Sequence, residues 1–143
     1  PEFKIYQKAI VDNAKVLAAT LVEEGLAIVS GGTDNHLMTV DLRPIAMTGK
    51  KASAVLEEVN ITTNKNAVPN DPEKPMVTSG IRLGTPAVSS RGMGVNEMKA
   101  IGSAIAATLK APEDEAVKAQ SRKTVEELCK KFPLYESKLA AVR

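Results

Sequence analysis

One arginine, Arg82, lies between two glycines in the apolar segment Thr-Ser-Gly-Ile-Arg-Leu-Gly-Thr-Pro-Ala at residues 78–87. A guanidinium group is a planar fork that can bind a carboxylate through two hydrogen bonds. Gly80 and Gly84 fall on the Arg82 side of the strand predicted here, and they leave room for a ligand to approach the backbone. Arg82 is therefore a candidate carboxylate ligand. The alternatives are an arginine paired with a structural carboxylate and a solvated arginine.

Three asparagines, Asn64, Asn66 and Asn70, lie in a loop that three prolines punctuate. Each proline fixes its own φ and biases the preceding residue toward extended conformations. Because an asparagine amide both donates and accepts hydrogen bonds, a stiff loop of this kind could present amides to a heterocycle with mixed donors and acceptors. The alternative is that these amides cap turns of their own backbone.

Other residue types that often carry chemistry give weaker signals. His36 is the single histidine, and Asp34 beside it does not complete a metal site, since such sites need several ligands. We expect a structural, hydrogen-bonded histidine and no metal. The Ser-Gly-Gly stretch at 30–32 lacks the spacing of a phosphate-binding loop and is predicted to be a turn.

Two features of the last third of the chain are predicted to be structural. Cys129 falls at an apolar-face position of a helical pattern, so packing is expected rather than nucleophilic chemistry. The mixture of lysine and glutamate at residues 113–131 is typical of a solvated helix face.

Composition limits the class of protein. A chain of 143 residues with 43% apolar residues fits one folded domain. The net charge of +2, the absence of tryptophan and the lack of a basic stripe argue against nucleic-acid binding. A single cysteine fits the reducing cytoplasm, and no apolar run is long enough to predict a membrane span. The chain begins at Pro1, without Met, in a helical pattern, as expected for a domain cut from a longer protein.

The spacing of apolar residues predicts an α+β fold, with a small, largely antiparallel sheet packed with helices. The predicted order is helix, strand, strand, helix, strand, strand, helix, helix. Strict alternation in the last strand places Arg82 on the face opposite to Ile81 and Leu83. The predicted elements are a helix at 3–21 ending near Gly25, paired strands at 26–30 and 36–42, a helix at 48–59 with Thr48 as its N-cap, a strand at 61–64, a loop at 64–75, a strand at 77–83, and two helices separated by Pro112.

In combination, these segments resemble serine hydroxymethyltransferase, a family dependent on pyridoxal phosphate. The matching stretches are 1–4, 30–37, 60–72 and 78–87. The resemblance implies the fold of type I pyridoxal-phosphate enzymes. It identifies residues 1–25 as a long connecting helix and residues 26–143 as the small C-terminal domain, with the large cofactor-binding domain absent.

The resemblance also implies a function for individual residues. The family interconverts serine and glycine, with tetrahydrofolate as the one-carbon acceptor. By its position in the Ser-Gly-Ile-Arg motif, Arg82 matches the residue that holds the substrate α-carboxylate. By its position in the Asn-Lys-Asn motif, Asn66 matches a residue that contacts the folate pterin ring, with Ala67 and Val68 helping to form that pocket. The large domain of the same enzyme and a homodimer or homotetramer are the implied partners.

The chain departs from the family pattern in its catalytic residues. The family's Schiff-base lysine lies in a Thr-rich, His-Lys segment that nothing here matches, and Lys65 belongs to the Asn-rich loop instead. The aspartate that binds the pyridine nitrogen and the histidine that stacks on the ring are also missing. Because this chemistry needs the covalent anchor and the electron sink, we expect the chain to supply substrate and folate contacts but to be inactive alone.

Two further hypotheses remain open from the sequence. The chain could be a non-catalytic amino-acid-binding or regulatory domain that uses Arg82 without a cofactor, or a protein-interaction domain. A domain made to pack on a larger one exposes an apolar interface when it is separated, so we expect one face of the helix at 3–21, or the Arg82 side of the sheet, to be covered by another copy in a crystal.

Overall fold

The computed structural model describes residues 1–134, and it has the predicted α+β architecture. The predicted domain runs on to residue 143, so its last stretch, 135–143, lies outside the described residues. Short 3-10 turns occupy Val29–Gly31 and Arg43–Ile45. The elements in chain order are α1 (Glu2–Glu23), β1 (Ala27–Ile28), β2 (Leu37–Asp41), α2 (Gly49–Glu58), β3 (Asn64–Asn66), β4 (Gly80–Gly84), α3 (Pro86–Ser90), α4 (Val95–Lys110) and α5 (Glu115–Lys131).

The four strands within residues 1–134 form one antiparallel sheet in the order β1-β2-β4-β3. The predicted pairing of the first two strands is confirmed, with Ala27 opposite Asp41. Strand β4, which contains Arg82, is an inner strand: β2 pairs with its whole length, and β3 pairs with its first three residues. The arginine is therefore held by backbone ladders on both sides.

One face of the sheet packs on the helices and forms the core. Ile81 and Leu83 of β4 are buried, whereas Arg82 between them is exposed, as the alternation predicted. Burying one such apolar side chain contributes about 1.5–3 kcal/mol. A slip of one residue in register would expose both and bury the guanidinium, so core packing fixes the face on which Arg82 lies. Met38 and Val40 of β2 complete the buried face.

Helix α1 is tied to the segment that follows β4 by buried side-chain hydrogen bonds. The Asn13 amide donates to Ser89 Oγ at 2.8 Å and to the Met93 carbonyl at 3.0 Å. The Thr85 hydroxyl donates to the Ile10 carbonyl at 2.8 Å. Since buried polar groups are costly when unpaired, these contacts anchor the C-terminal end of the Arg82 strand to α1.

The helix predictions hold with local corrections. Thr48 is the N-cap of α2, and its Oγ1 accepts a hydrogen bond from the Lys51 amide at 3.2 Å. The apolar stripe of α1 is buried from Ile10 onward, but Phe3 at its start is 69% exposed. Helix α3 was not predicted.

No helix within residues 1–134 combines the length and apolar character needed to cross a bilayer. The division into residues 1–25 and 26–143 stays a prediction.

Three strand predictions were misplaced, two of them because a residue with positive φ interrupts the extended backbone. Ser30, with φ of 65°, restricts the strand predicted at 26–30 to Ala27–Ile28. Thr78, with φ of 58°, delays β4 until Gly80. The strand predicted at 61–64 lies instead at Asn64–Asn66. The prediction followed the apolar side chain of Ile61, whereas the strand is defined by its pairing with β4.

The predicted solvated face of the last helix is wrong at Lys118. This residue is 5% exposed, and its ammonium group donates to Glu58 at 2.6 Å and to Glu115 at 3.4 Å. These ion pairs, with desolvation opposing them, raise the pKa of Lys118, the hydrogen bond to Glu58 having the largest effect. Lys118 therefore joins α5 to the end of α2.

We expect Asn13→Ala to destabilise the chain by roughly 1–3 kcal/mol, because it leaves the Met93 carbonyl buried without its donor. Urea denaturation followed by circular dichroism measures the change. Lys8→Ala, which breaks an exposed ion pair on the same helix, is the matched control, with an expected change within about 0.5 kcal/mol. Equal effects of the two substitutions would contradict the anchoring role of Asn13.

Candidate substrate-binding face

The sheet face opposite the core carries Arg82 near its centre. We call this surface the open face. Antiparallel pairing places Thr39 and Asn64 directly on either side of Arg82. Asn66 lies on the same face one row away, a diagonal spacing of about 7–8 Å. The residues of the open face are Leu37, Thr39, Asp41, Asn64, Asn66, Gly80, Arg82 and Gly84.

The Arg82 guanidinium makes no hydrogen bond or ion pair with any residue from 1 to 134. The carboxylate of the open face, Asp41, is instead bound by Arg43, with Nη2 2.6 Å from Oδ2 and Nε 3.0 Å from Oδ1. The Arg43 hydrogen bond is the main cause that lowers the pKa of Asp41, with burial opposing it. Since Arg43 holds this acid, Arg82 is left able to bind an external carboxylate.

Arg82 lines two clefts in the described part of the chain. One has a volume of 720 Å³ and lies between α1, the 29–35 turn and β2. The other has a volume of 480 Å³ and extends from the 60–64 segment toward α4 and α5. Both volumes fall within the range of roughly 300–1,000 Å³ typical of small-molecule sites. Arg82 and its neighbour on the open face, Leu37, line both clefts, and Arg82 is the charged side chain of the two.

The predicted folate residues lie beside Arg82 but line neither cleft. Asn66 is half-buried, and its amide nitrogen donates to the Ala67 carbonyl at 3.0 Å, a local backbone contact of the kind that the sequence left open as the alternative for these asparagines. Ala67 is exposed, whereas Val68 is 5% exposed. The side chains of Asn66 and Ala67 are thus open to a ligand, and Val68 lies beneath the surface.

Close packing under the loop requires a glycine at position 80. A Cβ there would lie 2.7 Å from Cγ1 of Val68 and 2.8 Å from the carbonyl oxygens of Asn66 and Val40. Real Cβ atoms do not approach other atoms this closely. Gly80 therefore lets the Asn66–Val68 segment close onto β4 immediately before Arg82.

The start of α2 also abuts this region. The amides of Gly49 and Lys50 donate to the carbonyls of Thr78 and Val77, each at 3.0 Å. A Cβ on Gly49 would collide with Thr78 Oγ1 and the Gly80 carbonyl. Because the first amides of a helix have no partner within it, the segment before β4 satisfies them and is positioned by them.

A carboxylate that the sequence analysis missed organises the loop between β3 and β4. Asp71 Oδ2 accepts hydrogen bonds from the amides of Val68 at 3.1 Å and Ser79 at 2.8 Å. Oδ1 accepts from the Glu73 amide at 2.9 Å and from the Ser79 hydroxyl at 2.7 Å. The Asp-Pro-Glu sequence carried one signal, since an aspartate often binds the amide two residues on.

The environment of Asp71 stabilises its charged form. Desolvation acts to raise its pKa, but the four hydrogen bonds, from the Ser79 hydroxyl and three amides, together outweigh it. The pKa of this carboxyl therefore lies well below its usual range, as expected for a carboxylate that accepts several amide hydrogen bonds.

Two candidate residues behave differently from their predictions. The ring of His36 is exposed and makes no hydrogen bond within the described residues, so the expected hydrogen-bonded histidine is wrong. Its backbone carbonyl accepts from the Thr85 amide at 3.2 Å instead. Cys129 is exposed at the 480 Å³ cleft rather than packed, because α5 only partly covers the core. Within residues 1–134 no group of His, Cys, Asp or Glu could hold a metal ion.

We expect the stability difference between the wild-type chain and Asp71→Asn to shrink in acid. A folded-state pKa below the unfolded value, about 3.9, gives stabilisation that is complete above that pH and is lost as pH falls through the folded value. Thermal denaturation at pH 7, 5, 4, 3 and 2 measures the difference in Tm, which is expected to stay constant down to about pH 5 and then to narrow. Asp12→Asn, on the surface of α1, is the matched control. A difference for Asp71→Asn that is independent of pH would contradict the ionised carboxylate.

Comparison with known proteins places these features in one family. The family model described as Serine hydroxymethyltransferase matches residues 1–105. The chain is 57% identical to the serine hydroxymethyltransferase of Paramagnetospirillum magneticum over 141 residues, which cover 95% of this chain and 33% of that protein. It is 55% identical to that of Rippkaea orientalis over 143 residues, covering 99% and 34%. It is 58% identical to that of Polynucleobacter necessarius over 136 residues, covering 95% and 33%.

The chain thus spans about a third of the length of the curated relatives that it matches. The family match includes all four strands and the Arg82 segment. Because the family model and these relatives match the helices and the antiparallel sheet that carries Arg82, this chain belongs to the serine hydroxymethyltransferase family.

Proposed function

We propose that this chain is the C-terminal, substrate-binding part of a serine hydroxymethyltransferase, a transferase that moves a one-carbon unit between serine and tetrahydrofolate with pyridoxal phosphate as cofactor. The observation that supports it best is Arg82, an exposed guanidinium at the centre of the open face without a partner among the described residues. Serine and glycine, the substrates in this proposal, each carry an α-carboxylate that the guanidinium fork fits.

In this proposal Arg82 binds the α-carboxylate of serine or glycine through both arms of its guanidinium. Backbone pairing on both sides of β4 holds the arginine's main chain rigidly. A two-point contact fixes the orientation of the amino acid as well as its position, and such orientation can contribute several kcal/mol to lowering a barrier. Thr39 and Asn64, directly beside Arg82, are polar neighbours suited to a charged ligand.

The folate contact of the proposal lies at the edge of the same face. The Asn66 amide presents a donor and an acceptor to a pterin ring, and exposed Ala67 forms the adjoining surface. The buried Val68 would contribute by packing against Gly80 under this surface. Arg82 and Asn66 lie on one sheet face one row apart, which supports binding of the amino acid and the folate side by side.

The described residues do not form a cradle for pyridoxal phosphate. The 720 Å³ cleft beside Arg82 has no histidine or aromatic side chain in its lining to stack on a pyridine ring. Lys65 pairs with Ile81, so its side chain leaves the sheet on the face opposite to Arg82. We therefore assign cofactor binding to the part of the enzyme that this chain does not span.

The proposal includes assembly and location. The large cofactor-binding domain and a second subunit, in a homodimer or homotetramer, would cover the apolar side chains exposed at the start of α1, where Phe3 is 69% and Ile5 is 72% exposed. The cytoplasm is the proposed compartment, since its reducing conditions suit the exposed thiol of Cys129.

In a full-length enzyme that carries this sequence, we expect Arg82→Gln to lower kcat/KM for serine by roughly 30- to 5,000-fold. This range corresponds to the 2–5 kcal/mol typical of removing one member of a hydrogen-bonded charge pair. Arg82→Lys keeps the charge without the fork and is expected to fall between Arg82→Gln and the wild type. Lys74→Gln, in the exposed loop, is the control. An unchanged KM for serine in Arg82→Gln would exclude the proposed clamp.

We expect the 143-residue chain by itself to show no serine–glycine turnover when pyridoxal phosphate and tetrahydrofolate are supplied, because it lacks the lysine that anchors the cofactor. A radiometric exchange assay on the purified chain measures this. Turnover that persists after repeated purification would refute the proposal that catalysis needs the rest of the enzyme. Glycine binding by calorimetry without cofactor would favour the amino-acid-binding domain instead.

A further inference from the structure

We propose that Asp71 is a positioning residue that sets the distance between the Asn66–Val68 segment and Arg82, so that the folate and amino-acid contacts form together. The inference rests on the proposed function, which supplies the two ligands. It adds a residue that touches neither of them and acts through the loop that joins their binding segments.

A single carboxylate oxygen of Asp71 bonds to both binding segments. Asp71 Oδ2 accepts from the amide of Val68, at the folate segment, and from the amide of Ser79, three residues before Arg82. These two amides belong to the two ends of the 67–79 loop. One acceptor atom therefore joins both binding segments, and its loss removes the hydrogen-bonded connection between them.

The sheet cannot supply this connection alone. The ladder between β3 and β4 has three residue pairs and ends at Asn66 opposite Gly80. Beyond that pair, Val68 is held by its packing on Gly80 and by the Asp71 bond. At the first end of the loop, Arg43 Nη1 also reaches the Pro69 carbonyl, but this contact is longer at 3.4 Å and exposed. The Gly49 and Lys50 amides bind the Thr78 and Val77 carbonyls at the second end and do not reach Val68. Asp71 thus connects the two segments beyond the last residue pair of the β3–β4 ladder.

The loop also contains backbone strain that needs an opposing interaction. Asn70 has φ of 56° and Thr78 has φ of 58°. Asparagine tolerates this region, whereas a β-branched residue there is a genuine outlier, and such strain costs on the order of 1–3 kcal/mol for a residue. Thr78 directly precedes Ser79, whose amide and hydroxyl both donate to Asp71. The carboxylate on Ser79, together with the Gly49 amide on the Thr78 carbonyl, therefore holds the strained residue in place.

The site requires a carboxylate in particular. Four donors converge on its two oxygens, and an ionised aspartate offers acceptors alone. In Asp71→Asn, one oxygen becomes an amide nitrogen that directs hydrogens at the surrounding donors. The asparagine side chain has nearly the same size as aspartate, but it cannot accept all four hydrogen bonds. Ser79→Ala removes one of the four donors and leaves the carboxylate with its three backbone amides.

The test is steady-state kinetics of the full-length enzyme with serine and tetrahydrofolate varied separately. We expect Asp71→Asn to raise both KM values and to lower kcat/KM by about 100-fold, the order of loss that a misplacement of about 1 Å can cause. Ser79→Ala is expected to raise both KM values by a smaller factor with its fold intact, and it tests the proposal if Asp71→Asn does not fold. Asp12→Asn on α1 is expected to match the wild type.

The outcomes separate the inference from the function on which it rests. If Arg82→Gln leaves the KM for serine unchanged, the proposed function fails. If Arg82→Gln raises that KM, while Asp71→Asn or Ser79→Ala folds and leaves both KM values unchanged, the positioning role alone is overturned. A change in one KM without the other would also overturn it. Non-additive effects of Asp71→Asn and Arg82→Lys in a double-mutant cycle would support action through Arg82.

Discussion

The structure around the candidate site depends on the hydrogen bonds that converge on the Asp71 carboxylate. Its two oxygens accept from Val68, Glu73 and Ser79, and so close a loop that has no regular secondary structure. Charge-assisted bonds of this kind are stronger than neutral ones. A long loop would ordinarily be the least ordered part of a small domain. Here it joins the two segments to which the proposed function assigns ligands, and its closure holds them on one surface.

The second constraint is the two-sided sheet. Apolar residues on one face of β2 and β4 pack on the helices, and this fixes Arg82 on the other face. The same alternation turns Lys65 away from it. Asp41 is bound by Arg43, so the neighbouring acid does not compete for the Arg82 guanidinium. Core packing and local ion pairing together leave one guanidinium open at the centre of a rigid surface.

The sequence could predict those features that depend on local spacing. Alternation of apolar and polar residues placed Arg82 on the open face. Thr48 was identified as a helix N-cap because a threonine stands at the start of a helical pattern of apolar residues. Features that depend on distant contacts were out of reach. Lys118 is buried because Glu58, 60 residues away, pairs with it, and Asp71 gains its role from Ser79, eight residues on and beyond two prolines. Strand β3 is defined by its register with β4 rather than by its own polar residues.

A crystal structure of the full-length enzyme with glycine and a reduced folate bound would test the central claim most directly. The predicted result is a glycine carboxylate within hydrogen-bond distance of both terminal nitrogens of Arg82, and a pterin ring beside Asn66. The Asp71 carboxylate should still join the Val68 and Ser79 amides. A glycine carboxylate held by another cation, with Arg82 turned toward a protein carboxylate, would contradict the assignment.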